Sequence, residues 1–317
     1  MPEWLIERGI GETRMARIEQ GEIVDAQIRL DGQARAGEVR PARLKRAGMP
    51  AVAVDADQEY LLPKGAPGAT EGAEISIEVT REKIPGSEPW KRPLARYVAE
   101  DGLRTAPLSD TEVLTFPHPD DPLAAAGWDD VIAEARSGVV KFTGGELRIS
   151  PTHAMTLIDV DGTLPAEQLA VNGASAAAKA IRRLDIGGSI GIDLPTTGSK
   201  AARQAAASAI DEVLKQPFER TAVNGFGFVQ IVRPRLRASL IELAGDRSPF
   251  EARALLRRAA MEKAGPKCLV GHPTVIAEFE RHPTWSDALK RQIGGSIGLR
   301  AEPGLPISGG YAEPLQQ

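Results

Sequence analysis

The 317-residue sequence holds a single cysteine, Cys268, and four scattered histidines. One cysteine excludes an internal disulfide and any zinc site built from a cysteine cluster within one chain. The histidines lack metal-ligand spacing, and His153 reads as structural rather than as a general base. No run approaches the ~18 apolar residues that a membrane span needs. The start, MPEWLIERGIGETR, lacks a basic stretch leading into an apolar one, so no secretory signal is expected and the cytoplasm is the expected compartment. Aromatic residues are scarce at 4%. A basic excess is also missing, since 39 Lys and Arg face 43 Asp and Glu for a net charge of −4. Phosphate neutralisation supplies most of the affinity of nucleic-acid binders, so an RNA site here has to be a local patch.

What is present is an ordinary globular composition, 42% hydrophobic and 26% charged, with 32 Gly and 24 Pro that favour short elements and many turns. The length suits two or three compact units. Residues 1–34 read as two strands around a turn, EWLIERG and TRMARIEQGEIVDAQIRL, with Gly21 at a corner. AGEVRPARLKR, AVAVDAD, EYLLP and AEISIEVTREKI read as a small barrel over 36–84, with Gly and Pro between them. Residues 85–125 are Pro-rich and read as irregular connecting structure. A short helix is predicted over Trp128–Arg136, ended by Gly138. From residue 139 the pattern alternates: a VVKFTGG–ELRIS hairpin, a buried strand AMTLIDVD, an Ala-rich helix over 168–184, a strand SIGIDL, a helix over 200–215 and a strand GFGFVQIVR. That order suggests one sheet with crossover helices. An Arg-rich helix over 249–264 and a small α+β module close the chain.

Asp159 and Asp193 are each expected to end a short apolar strand, LID and GIGID, within one βαβ unit. Ligands of such sheets gather at the carboxyl ends of the strands. Two carboxylates converging there can share a hard cation such as Mg²⁺, which accepts one or two carboxylates together with water and substrate phosphate. Asp161 lies two residues on and points to the same side as Asp159. The plainer reading is a helix cap or turn residue, as for most aspartates after strands, and the pattern alone leaves both open.

IDVDGTL (158–164) also looks like the first motif of haloacid-dehalogenase-like phosphatases, which would make Asp159 a covalent nucleophile. Against this, the motif sits far from the N-terminus, and Asp193 stands where a Ser or Thr is expected. No convincing Lys opens a strand before Gly245. The phosphatase reading is the weaker alternative.

The order of segments resembles the ribonuclease E/G family. LIERGIGETRMARIEQGEIVDAQI is similar to the family's opening, and the barrel segments follow its S1 course. GWDDVIAEARSGVVKFTGGELRISPTHAMTLIDVD resembles the run into its catalytic strand, and RRLDIGGSIGIDL the stretch with its second catalytic Asp. FGFVQIVRPRLRASL matches the pattern that follows, and HPTVIAEFERHP…GGSIGLRAEP resembles its small C-terminal domain. The resemblance implies that Asp159 and Asp193 are the two catalytic carboxylates that bind Mg²⁺, with Mn²⁺ as a substitute; Asp161 joins the expected catalytic set through its place two residues on, where it can bind the metal's water shell or orient the nucleophile. The resemblance also implies endonucleolytic hydrolysis of single-stranded RNA by an activated water, leaving 5′-phosphate and 3′-hydroxyl ends. Asp161 falls where the family usually has Asn, which brings a non-catalytic RNA-binding relative into view as an alternative. The family's zinc-binding C-P-x-C run is absent after SLIEL, so no zinc is expected and any homodimer lacks a zinc link. Residues 96–137 replace a long sensor region, which implies loss of RNA 5′-end sensing. Positions where the family presents barrel aromatics fall on Ala53 and on Leu61 or Tyr60, which weakens base stacking.

Candidate RNA contacts are Lys200 and Arg203 at the start of the helix after Asp193, Arg220, Phe226, and the alternating Arg233 and Arg235, with Arg237 beyond. Each has a plainer reading as a solvated face or, for Phe226 and Phe228 on one strand face, as core. Arg81, Lys83, Lys91 and Arg92 edge the barrel.

The expected fold is mixed α/β: an N-terminal hairpin segment (1–35), a reduced S1-like barrel (36–95), a connecting region (96–137), a metal-binding α/β catalytic domain (138–247) and a small C-terminal α+β domain (248–317). The expected activity is a Mg²⁺-dependent endoribonuclease acting on single-stranded RNA.

Overall fold

The computed structural model describes residues 4–85, 91–99 and 111–315. In chain order, β1 (Trp4–Arg8), β2 (Glu12–Glu19) and β3 (Glu22–Leu30) form a meander, with a positive φ at Gln20 and Gly21 turning β2 into β3. The barrel strands follow as β4 (Val39–Arg46), β5 (Ala51–Asp55), β6 (Gln58–Leu62), β7 (Glu74–Arg81) and β8 (Leu94–Val98). Next come β9 (Thr111–Leu114), α1 (Pro122–Ala125) and α2 (Trp128–Ser137). A second layered region holds β10 (Val139–Phe142), β11 (Gly145–Pro151), β12 (Thr156–Gly162), α3 (Ala166–Arg183), β13 (Gly188–Asp193), α4 (Lys200–Val213), β14 (Glu219–Arg220) and β15 (Phe228–Arg233). The chain ends with α5 (Leu240–Gly245), α6 (Arg247–Met261), β16 (Lys267–Gly271), α7 (Pro273–Arg281), α8 (Pro283–Ile293), β17 (Ile297–Ala301) and β18 (Tyr311–Pro314). Among the described residues no helix is long and apolar enough to cross a membrane.

The fold is mixed α/β with a closed five-stranded barrel, as the sequence leads one to expect. The expected irregular stretch 85–125 differs. Part of it, 86–90 and 100–110, lies outside the described residues; the remainder contains β8, which closes the barrel, and β9, which pairs in parallel with β1. Short strands between prolines carry too few alternating positions to reveal themselves by period.

The chain divides into two compact units. One contains 1–31, 110–136 and 243–317. Its sheet β3-β2-β1-β9 and its smaller sheet β17-β16-β18 accompany α1, α2, α6, α7 and α8. Leu255, Leu256, Leu269, Val275, Phe279 and Leu289 form a core there. Pro273 opens α7 behind His272, whose ring accepts from the Thr274 amide, and Gly294 ends α8 with φ +65.

The other unit contains 32–109 and 137–242. Leu44, Leu62, Ile77, Val79 and Tyr60 fill the barrel interior. The six-stranded sheet runs β10-β11-β12-β13-β15-β14. β12 and β13 are parallel, linked through α3, whereas β15 runs antiparallel to β13. Small residues (Gly173, Ala174, Ala177 and Ala178 on α3; Ala202, Ala206 and Ala207 on α4) bury the helices tightly. The barrel and the sheet are tied where the Glu82 amide donates to the Leu236 carbonyl at 2.8 Å. Arg237 adds a link, bonding Asp185 at 2.9 Å and facing Glu82 at 3.6 Å.

Candidate active site

β12 is half-buried in strict alternation: Ile158 and Val160 are buried towards the helices, while Leu157, Asp159 and Asp161 are exposed. The apolar run AMTLIDVD therefore does not mark a strand covered on both faces. Pairing extends the exposed row across the sheet. Asp159 is in register with Arg148 of β11 on one side and Asp193 of β13 on the other, and Asp193 in turn with Phe228 of β15. Residues in register across a sheet project to the same face, so Arg148, Asp159, Asp193 and Phe228 form one row on the open face. Asp193 ends β13, as expected. Asp159 instead lies mid-strand, so the two carboxylates meet on a sheet face and not in a crevice beyond the strand ends.

The electrostatics agree with that placement. The Asp159 carboxyl is held above the usual carboxylate range, first by partial desolvation and then by the negative charges of Asp161 and Asp193. Arg148 and the Val160 amide pull it the other way. Arg148 is itself engaged by Glu146, at 2.8 and 3.1 Å, and Glu146 is in register with Asp161. Asp159 thus lies among three other carboxylates, those of Glu146, Asp161 and Asp193, and one guanidinium on β11, β12 and β13. That is an arrangement which attracts a cation.

Phe226 does not share the strand with Phe228. It precedes β15 in a turn and is 80% exposed. Asn224 holds that turn: its side-chain oxygen accepts from the amides of Phe226 and Phe228 at 2.9 and 3.0 Å. The Thr196 hydroxyl donates to the Phe226 carbonyl at 3.0 Å, fixing the turn to the loop after Asp193. Gly227 has φ +92, and a Cβ there would stand 2.1 Å from the Leu194 carbonyl oxygen, so only glycine permits this approach. The Phe228 ring fills the space beside Gly191.

The candidate basic residues have separate placements. Lys200 opens α4 and is exposed; Ser199 caps that helix by accepting from the Ala202 amide at 3.1 Å. Arg203 donates to the Thr197 carbonyl at 2.7 Å and so braces the loop after Asp193. Arg220 clasps Asp211 through two bonds. Arg233 donates to the Ile186 carbonyl at 3.0 Å, and Arg235 pairs with Glu242. In the barrel, Ala53 and Tyr60 face the interior at 0% and 3% exposure, so neither offers a stacking surface.

Arg148 and Glu146 were not singled out by sequence reading. The signal was there: with the turn at 152–155, a hairpin places the residue eleven positions before Asp159 directly opposite it. Among the described residues no group of three or more His, Cys, Asp or Glu forms a ready metal cage. The donors that do converge are two carboxylates in one row, which suits a hard cation that keeps water and substrate oxygens in its shell.

Residues 104–236 match the model of the Ribonuclease E/G family, a span that contains β9 through β15 and the whole open row. No curated protein matches the chain.

Proposed function

We propose, from the match of residues 104–236 to the Ribonuclease E/G family model, that the protein is a metal-dependent endoribonuclease cutting single-stranded RNA on the open face of its six-stranded sheet. The observation that carries this reading is the register of Asp159 with Asp193 on that face, inside the matched span.

Asp159 and Asp193 would hold Mg²⁺ or Mn²⁺; an all-oxygen pair without His or Cys does not favour zinc. When bound, such a cation lowers the pKa of water and neutralises charge on a phosphodiester. The chain's own residues do the rest. Asp161, beside Asp159, accepts a hydrogen bond from water and orients it towards the phosphate. Arg148 offers guanidinium donors to a phosphate oxygen on the same row. Phe226 presents a ring on which a base can stack, and Lys200 adds positive charge at the start of α4. Products carry 5′-phosphate and 3′-hydroxyl ends.

An RNA-binding relative that does not cut is a second reading, favoured by one observation: Arg203, Arg220, Arg233 and Arg235 are engaged by protein partners, which leaves the face thinly basic. The test is cleavage of a labelled single-stranded RNA with Mg²⁺, comparing wild type with Asp193→Asn. Metal-dependent cutting to 5′-phosphate products, lost in the variant, is expected. RNA bound but uncut by the wild type would leave the second reading. Turnover of a generic phosphate monoester would instead revive a phosphatase.

A further inference from the structure

In the unit that contains α2 and α6, these helices flank a small cavity floored by β2 and β3. Asp129, Ile132 and Arg136 face it from α2, at helical spacing, and Phe250, Ala254, Arg257 and Arg258 face it from α6. Glu12 and Arg14 come from β2. The lining thus carries four guanidiniums against two carboxylates over the apolar surface of Trp128 and Phe250.

Three of the four arginines are satisfied by protein. Arg14 bonds Glu7 at 2.7 Å and Glu12 at 2.5 Å. Arg257 bonds Glu7 at 2.9 Å and Asp121 at 2.7 Å. Arg136 grips Glu251 through two bonds of 2.7 Å. Arg258 differs: it stands exposed at the mouth and makes no ion pair or hydrogen bond among the described residues. Its guanidinium is pushed below the usual arginine range by desolvation and then by Arg136, while the nearby carboxylates of Glu251, Asp129 and Glu262 pull it the other way. A cation held beside another cation, with its donor fork unused, is stabilised by an anion that reaches both. The cavity measures about 80 Å³. At ~10–15 Å³ per water this has room for the oxygens of one tetrahedral group.

We propose that this cavity is a phosphate-binding site, in which the donor fork of Arg258, with Arg136 beside it, receives a phosphoryl group. The site is separate from the Asp159–Asp193 row and does not depend on RNA cleavage. The phosphoryl group belongs either to a small phosphorylated molecule or to an RNA backbone.

The experiment is calorimetric titration of inorganic phosphate into the full chain at constant ionic strength, carried out on Asp193→Asn so that RNA stays intact. Saturable binding is expected in this parent and weakened about tenfold to a hundredfold by Arg258→Ala, the range for a lost charge-assisted bond. Arg258→Lys, which keeps the charge without the fork, should fall between the two. Without phosphate, Arg258→Ala should melt close to its parent, because the exposed Arg258 makes no ion pair or hydrogen bond among the described residues and its neighbours carry both signs of charge. Displacement by adenosine 5′-monophosphate alone would identify a small phosphorylated ligand; displacement by a 5′-hydroxyl oligoribonucleotide would identify the RNA backbone. Absence of saturable binding at millimolar phosphate, or equal affinity in Arg258→Ala, overturns the proposal.

Discussion

Asp159 stands directly beside Asp193 in the parallel pairing of β12 with β13, and Arg148 is in register with Asp159 from the antiparallel side. Two carboxylates that serve one cation act as a unit, so their losses should not add. Asp159→Asn and Asp193→Asn are each expected to lower metal-dependent RNA cleavage on the order of 10²-fold or more. The double variant should be little worse than either single one. Single-turnover cleavage measures this, and multiplicative losses would mean that the two groups act separately.

Behind the row, α3 approaches β12 closely at Gly173. A Cβ there would stand 2.3 Å from Cγ1 of Val160, the residue after Asp159. Helix propensity alone would favour alanine by roughly 1 kcal/mol. Overpacking at a rigid helix–sheet contact costs about 1–3 kcal/mol, and the β-branched Val160 has little freedom to yield. Gly173→Ala should therefore destabilise the protein. It should also reduce cleavage beyond what the melting temperature explains, by displacing the Asp159 strand. A neutral or stabilised variant would show that the helix can shift outward.

The sequence made the large elements of this region legible because their signals are local. Ala-rich helical spacing gave α3 and α4, and apolar runs gave β12 and β13. The carboxylate pair was legible as two strand-borne aspartates, but its location on a sheet face was not. That depends on β11 joining the far side of β12, a pairing set by hairpin register and not by composition. Phe226 was misplaced onto the strand because FGFVQIV alternates as a strand does. Gly227 and the Asn224 turn instead eject the first phenylalanine. The arginine partners were illegible for a related reason: Arg220 and Asp211, or Arg237 and Glu82, meet only through tertiary folding.

In the unit containing β1 and α6, Glu7 is 1% exposed and accepts from both Arg14 and Arg257. Glu7→Gln would leave two buried guanidiniums with one fewer counter-charge. Breaking a buried pair from one side costs about 3–5 kcal/mol. Chemical denaturation should show a loss of that order. A loss below ~1 kcal/mol would mean that Glu12 and Asp121 compensate.

The Asp211–Arg220 clasp gives a pH-dependent expectation. Hydrogen bonding to Arg220 holds the Asp211 carboxyl below its usual range. A depressed carboxylate contributes stability above its unfolded pKa of ~3.9 and loses it as pH falls through the lower folded value. The Asp211 side chain is 47% exposed, so the pair should be worth only about 0.2–1 kcal/mol. Asp211→Asn should thus lower stability slightly at neutral pH, and the gap to wild type should close on acidification. A gap that persists in acid would assign the effect to packing.

Phe226 gives the sharpest test of how RNA lies on the face. Its ring is 80% exposed while its backbone is fixed by Asn224 and Thr196, so binding a base there orders little that is mobile. Stacking of one base on an aromatic ring is worth about 1–3 kcal/mol, or roughly 5- to 100-fold in affinity. Phe226→Ala should weaken single-stranded RNA binding by that factor, measured on the Asp193→Asn background, with the melting temperature unchanged because the ring packs on almost nothing. Phe226→Trp should retain binding. Asn224→Ala should weaken binding as well, but for a different reason: the ring survives while its turn loosens, so the loss should appear with a larger entropic penalty on binding. If Phe226→Ala binds RNA like its parent, the exposed ring is not a stacking platform, and the bases must lie along Arg148 and Lys200 instead.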